Sequence, residues 1–205
     1  KPAVEVEKRV KTLGVLPVLV DAATIDYSNR DGLVALLEET SKDVSDWLIE
    51  GLRRKGDYFD VRRIEGDRGQ LLDQMISARE MVGDGAATHH RYQFNPGAIT
   101  ELRGSHLVDA VLVIIINGIE RPEKRWHPHS TRFEYLEADY RSLLYTAAVV
   151  APPSELFWVR QPSPGDFFLR LDYPDFSEAY WNMTEEVKIK EISLHGLQRH
   201  LAEFD

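Results

Sequence analysis

Apolar positions along this chain follow two patterns. Ala110 to Ile116 is an unbroken apolar run rich in β-branched residues (Val111, Val113 and Ile114 to Ile116), which favour an extended backbone. It lacks the alternation of a strand with one wet face, so it predicts a central strand covered on both sides. It is far too short to cross a membrane as a helix. Gly118 and Pro122 close it. Between Gly32 and Lys55, by contrast, Leu33, Leu36, Leu37, Thr40, Val44, Trp47, Leu48 and Leu52 recur at three- and four-residue spacing, which predicts an amphipathic helix. Glu38 and Glu39 sit in its early turns and Arg53, Arg54 and Lys55 in its last, as the helix dipole favours. Gly56 stops it.

Weaker patterns fill in the remainder. Residues 1 to 8 read as a lead-in or a short edge strand. Lys11 to Val20 reads as a strand carrying Pro17, a residue confined to strand ends, edges or bulges. Asp21 to Gly32 is a polar loop, and Tyr58 to Ile64 a second strand. Gln70 to Val82 predicts a second helix, ended by the turn Gly83-Asp84-Gly85. Asn95-Pro96 offers an N-cap and a first-turn proline for a short helix to Arg103. Residues 123 to 131 read as a polar loop and Arg132 to Ser142 as a helix. Leu143 to Ala151 and Leu156 to Gln161 read as strands around the reversal Pro152-Pro153-Ser154-Glu155. Phe167 to Leu171 is an added strand or a buried loop, and Asp175 to Asn182 and Ser193 to Phe204 predict helices. There is no internal repeat and no low-complexity tract.

The fold expected is a single α/β domain over residues 1 to 205, with a core of about residues 9–161 and a helical extension over 162–205 packed on it. Its mixed sheet would carry helices on both faces and gain an antiparallel hairpin late in the chain. The 205 residues, 43% hydrophobic and 29% charged, are enough for one sizeable core. A net charge of −9 without a basic stripe argues against nucleic-acid binding. The absence of cysteine removes disulfides, thiol nucleophiles and thiolate zinc sites.

Candidate chemistry is sparse. His89 and His90 are adjacent, so on a regular element they point apart. His127 and His129 would share a face of a strand, but Pro128 between them marks an exposed loop, and the spacing alone is weak evidence for zinc. His195 and His200 lack ligand spacing. No Gly-x-Ser-x-Gly elbow and no phosphate-cradling Gly-Lys-Ser/Thr loop is present. Ser105-His106 is only a neighbour pair, and the paired acids Glu38-Glu39, Asp172-Asp175 and Glu185-Glu186 suit a solvated surface. The aromatics from Phe157 to Trp181 read as core sealing the back of the sheet. Tyr173-Pro174-Asp175 and Tyr180-Trp181 are the part expected to be exposed.

The order of parts resembles a known group. Gly14-Val15-Leu16-Pro17-Val18 leads to a polar loop, and a long helix then ends in Leu52-Arg53-Arg54-Lys55-Gly56. Tyr58-Phe59-Asp60-Val61 follows, then Leu107-Val108-Asp109-Ala110-Val111-Leu112-Val113, and then Ala147-Ala148-Val149-Val150 before Glu155-Leu156-Phe157-Trp158. This resembles the α/β domain of the curli-secretion lipoproteins, of the lipoprotein activators of penicillin-binding proteins, and of the amino-terminal domain of TolB, an anticodon-binding-like fold. The likeness spans most of residues 12 to 160. Leu107 stands where that pattern has glycine, Glu120 to Ser142 reads as an insertion, and the tail from Phe167 has no counterpart.

What the resemblance implies is a non-enzymatic envelope protein, held at the periplasmic face of the outer membrane by a lipidated cysteine upstream of Lys1. It would bind an envelope protein or a peptidoglycan-associated partner and could form a homo-oligomer. It would touch no nucleic acid, and the membrane only through that anchor. The alternatives are a small-ligand binder or enzyme using the loops around Asp21 to Asp31 and Ile119 to Ser130, and a cytoplasmic accessory domain. The interaction surface expected comprises Asp26, Tyr27, Asn29 and Arg30, then Trp126, His127 and His129, then Tyr173, Tyr180 and Trp181. No catalytic residue, cofactor or metal ligand is expected.

Overall fold

Strand β6 (Ala110–Trp126) is the spine of the molecule. In the computed structural model, which describes residues 10–126, 135–162, 168–171 and 185–202, its neighbours are β1 (Thr12–Val15) and β2 (Leu19–Asp21) on one side and β7 (Tyr135–Ala151) on the other. Strand β3 (Asp60–Arg63) pairs with β1 at one edge of the sheet. At the other edge β8 (Glu155–Arg160) and β9 (Leu169–Arg170) both pair with β7. Strands β1, β2, β3 and β6 are parallel, and β7 runs antiparallel to β6, β8 and β9. The result is an α/β domain on a mixed sheet, with the antiparallel hairpin β7–β8 where the sequence predicts one.

Both faces of the central run are covered. Ala110, Leu112, Ile114 and Ile116 point into one apolar cluster and Val111, Val113 and Ile115 into another. The first cluster lies under α1 (Arg30–Lys55), through Leu33, Leu37, Val44 and Leu48, and under α4 (Glu185–Leu201), through Leu197 and Leu201. Lys190 of α4 also reaches Glu39 of α1 at 2.7 Å. The second cluster lies under α2 (Arg68–Met75) and α3 (Pro96–His106), through Leu71, Met75 and Ile99. Over the same face lies a small hairpin of β4 (Ile76–Val82) and β5 (His89–Phe94), which contributes Tyr92 and Phe94.

Local signals end the helices as their residues dictate. Asn29, Asp67 and Asn95 accept from the backbone N–H of Gly32, Gln70 and Gly97, satisfying donors that a first turn leaves open. Gly56 is left-handed (φ 76°) at the end of α1, and Arg53 turns back to donate to the Val61 carbonyl at 2.7 and 3.1 Å. Asp109 Oδ2 accepts from the N–H of both Lys11 and Thr12 at 2.9 Å, tying the start of β1 to the start of β6.

Several sequence expectations are corrected. The strand over residues 11–20 is two strands separated at Leu16 to Val18, because Pro17 has no N–H to continue the ladder. The helix expected over 70–82 stops at Met75, and Ile76 to Val82 is β4. Ala78, Arg79, Glu80 and Met81 favour a helix locally, but pairing with the unforeseen strand β5 overrides that preference. Gly118 and Pro122 do not close β6, and of the helix expected at 132–142 the described part, from Tyr135, is strand. Strand pairing runs unbroken from Val111↔Val150 to Trp126↔Tyr135. Past the last partners of β2 and β9, at Asn117 and Ser142, the two strands continue as a ribbon, so Pro122 lies on an edge where proline is tolerated. The polar loop expected at 123–131 is strand as far as Trp126, and the terminal helix begins at Glu185 rather than Ser193. Phe167 to Leu171 contains the short added strand β9. The expectations for residues 1 to 8 and for a helix at 175–182 lie outside the described residues. Among the described residues no helix is long and apolar enough to cross a membrane.

Candidate functional site

Polar side chains converge where β2 ends beside β6. Asp21 is the last residue of β2 and pairs with Asn117 of β6. Since Leu19 and Ile115 face the cluster beneath the β4–β5 hairpin, strand alternation turns Asp21 and Asn117 to that side as well. Asp21 is 2% exposed and Asn117 fully buried.

The hairpin grips Asp21 with a cross-strand pair. Arg79 and Tyr92 stand opposite each other on β4 and β5. Arg79 Nη1 donates to both carboxylate oxygens, and the Tyr92 hydroxyl donates to Oδ2 at 2.9 Å. The bond to Asp21 holds the Arg79 pKa above its ordinary value. Burial, and then the Asp21 charge, push the Tyr92 phenol up, so it stays protonated.

His90 lies two residues before Tyr92, its ring centroid 6.3 Å from the tyrosine's. Its Nε2–H donates to the Gly118 carbonyl at 3.0 Å, since a carbonyl only accepts. Burial lowers the His90 pKa below 6.5, and its Nδ1 is a buried acceptor with no hydrogen-bond partner among the described residues. Thr24 Oγ1 accepts from the Gly118 N–H at 2.9 Å and donates to the Asp21 carbonyl at 2.7 Å. Both backbone polar groups of Gly118 are thus taken by side chains. A Cβ there would stand 2.6 Å from the Thr24 carbonyl oxygen, so the close approach of the two segments requires glycine.

Above this buried cluster opens a cleft of about 350 Å³ lined by Asp26, Arg79, His90, Gly118, Glu120 and Arg141, among others. Glu120 and Arg141 are cross-strand partners on β6 and β7. Arg141 Nη1 lies 3.3 Å from Asp26 Oδ2. Met81, Ile119 and Leu171 supply apolar wall. The cleft offers guanidinium donors and carboxylate acceptors at the ends of parallel strands, the usual place for ligands in open α/β sheets. Asp21 is already engaged by Arg79 and Tyr92, which suits it to shaping the cleft rather than to proton transfer. Among the described residues no group of three His, Cys, Asp or Glu side chains could hold a metal ion.

The structure brings together only some of the residues expected at an interaction surface. Asp26 lines the cleft, where Thr24 and Ala23 join Ile119 and Glu120, so the loop after the first strand does meet the end of the central run. Tyr27 and Asn29 instead line a separate depression of about 600 Å³ between the same loop, α1 and Ile189 of α4. The Asn29 side chain is occupied as a helix cap. Arg30 is exposed, 3.7 Å from Asp31. Trp126 ends β6. His127, His129, Tyr173, Tyr180 and Trp181 lie outside the described residues. His89 and His90 point apart on β5, His89 bonding the Ala87 carbonyl at 2.8 Å. Sequence reasoning missed Arg79, Tyr92, Asn117 and Arg141. The alternation of His90, Tyr92 and Phe94 with Arg91 and Gln93 was the one available signal for β5, and hence for the hairpin.

No protein-family model matches the chain, and no curated protein matches it by sequence. Among solved structures the chain is similar to a neuraminyllactose-binding hemagglutinin homolog from Helicobacter pylori, at 11% identity and a TM-score of 0.44, covering 94% of this chain and 82% of that chain.

Proposed function

We propose that this chain is a non-enzymatic binding domain that takes a small polar ligand in the cleft between the β4–β5 hairpin and the ends of β2 and β6. The observation that supports this is the convergence of Asp26, Glu120, Arg79 and Arg141 on one opening of about 350 Å³. That is room for a ligand of about amino-acid or monosaccharide size. Arginine donors suit carboxylate or phosphate groups, and the two acids suit hydroxyl or ammonium groups. The test is a thermal-shift screen with monosaccharides, amino acids, small carboxylates and sugar phosphates. A binder raises the melting temperature by mass action, and the rise should vanish in Arg141→Ala and Glu120→Gln. A wild-type protein unmoved by every compound, or a shift that survives both substitutions, sinks this reading.

The ribbon of β6 and β7 beyond Asn117 and Ser142 favours a second mode, contact with a protein partner. Among the described residues no further strand pairs with it beyond those points; two-stranded ribbons are marginally stable in water, and a partner surface would stabilise this one. Replacing residues 123–138 by Asn-Gly should abolish such binding while leaving small-ligand shifts intact. The setting we propose is the cell envelope, on the strength of the resemblance in the strand and helix motifs. The reading frame upstream of Lys1 tests it: an export signal ending in a lipidated cysteine is expected there, and a frame without any export signal rules the envelope out.

A further inference from the structure

We propose that the edge strand β8 is a self-association surface, pairing antiparallel with β8 of a second copy about a two-fold axis between Phe157 and Trp158. The two edges of the main sheet differ in kind. Strand β3 offers Asp60, Val61, Arg62 and Arg63, three charges in four residues, a pattern that discourages further pairing. Strand β8 offers Glu155, Leu156, Phe157, Trp158, Val159 and Arg160 and pairs only with β7 among the described residues. Leu156 and Val159 are 49% and 37% exposed. They border a groove of about 480 Å³ with Phe94, Thr146 and Ala148.

The strand is self-complementary. About a two-fold axis at its centre, Glu155 meets Arg160 of the second copy, Leu156 meets Val159, and Phe157 meets Trp158. Each contact occurs twice, as an isologous interface requires. The side-chain faces agree. Glu155 and Arg160 pair with Ala151 and Ala147 of β7, which point to the α1 face, where Phe157 and Trp158 also pack. Leu156 and Val159 pair with Val150 and Ala148, which point to the opposite face. The ladder with β7 shifts between Val149 and Val150, leaving one extra residue in β8. Bulges commonly spoil an edge for foreign strands. A second copy carries the same extra residue, so its register holds through the bulge. Opposite charges and apolar groups across antiparallel neighbours are favourable, and like charges directly opposite are not. Pro152, Pro153 and Pro162 bracket the strand, which limits pairing to six residues and so to a closed dimer.

Two experiments on the full chain test this. Sedimentation across a concentration series should show a monomer–dimer equilibrium. Glu155→Arg should weaken it at least tenfold by placing arginine against arginine, and adding Arg160→Glu to the same chain should restore it. Leu156→Lys, at an exposed position, should weaken it without altering the circular dichroism. A chain without cysteine also allows a register test. A mixture of Leu156→Cys and Val159→Cys proteins should form a disulfide-linked dimer under mild oxidation, more readily than either variant alone. A protein monomeric at every concentration overturns the proposal, as does a dimer indifferent to Glu155→Arg and Leu156→Lys.

Discussion

Leu107 carries a backbone conformation that suits another residue. It caps α3 in the left-handed region, at φ 53° and ψ 51°, with its side chain 73% exposed, so the strain is not repaid by packing. An L-residue there costs about 1–2 kcal/mol, of which glycine's greater chain entropy returns about half. Leu107→Gly should therefore stabilise the protein by about 0.5–1 kcal/mol, read as a shift of the urea midpoint without a change of slope. His90 makes the second prediction at this scale. Burial depresses its folded-state pKa below the 6.5 of an unperturbed histidine, so near and below that pH the unfolded chain binds the proton more readily than the folded one. Its contribution is full above about pH 6.5 and is lost as pH falls toward the folded value. Unfolding free energy measured from about pH 7.5 down to about pH 5 should fall more steeply for the wild type than for His90→Gln. Parallel profiles would mean that His90 is not the group responsible.

At the scale of elements, the β4–β5 hairpin matters most, because it carries Arg79 and His90 to the cleft and Tyr92 to the buried Asp21 beside it. Its turn depends on Gly83 at φ 86°, where a Cβ would stand 2.5 Å from the Ala87 carbonyl oxygen. Gly83→Ala should destabilise the protein by about 1–3 kcal/mol and raise amide exchange in β4 and β5 ahead of β6. Uniform exchange across all strands would show that the hairpin does not open by itself. The same hairpin marks the limit of what the sequence discloses. The run Ala110 to Ile116 and the helix from Leu33 to Lys55 were legible because one-dimensional patterns report burial directly. Ile76 to Val82 was not, since its extended form depends on a partner that carried no strong signal of its own. The candidate site was hidden for the same reason. Asp26 and the end of the central run could be named from their loops. Arg79 and Arg141 fell within segments whose local preference is helical, and only pairing with β5 and β6 turns them toward the cleft.

On the scale of the whole molecule, the alternation within β6 divides the described interior into two apolar clusters on opposite faces of the sheet. Leu197 of α4 and Ile99 of α3 are both fully buried, one in each cluster. Truncating either to alanine removes buried methyl groups and leaves a cavity, at a cost of about 2–5 kcal/mol. Because the two cavities open into separate clusters on opposite faces of the sheet, the costs should add to within about 0.5 kcal/mol in the double variant. A Leu197→Ala loss as large as that of Ile99→Ala carries a further consequence. It would show that α4, late in the chain, stabilises the fold as directly as α3 does, since an appended helix could lose Leu197 with little effect on global unfolding. The measurement is denaturant unfolding of the wild type, both single variants and the double variant, followed by far-UV circular dichroism and tryptophan fluorescence. Coincident transitions with additive losses identify one cooperative unit built on two faces. A Leu197→Ala loss under about 1 kcal/mol, or separated transitions, would show α4 to be a dispensable cover and leave α1 alone to seal its side of the sheet.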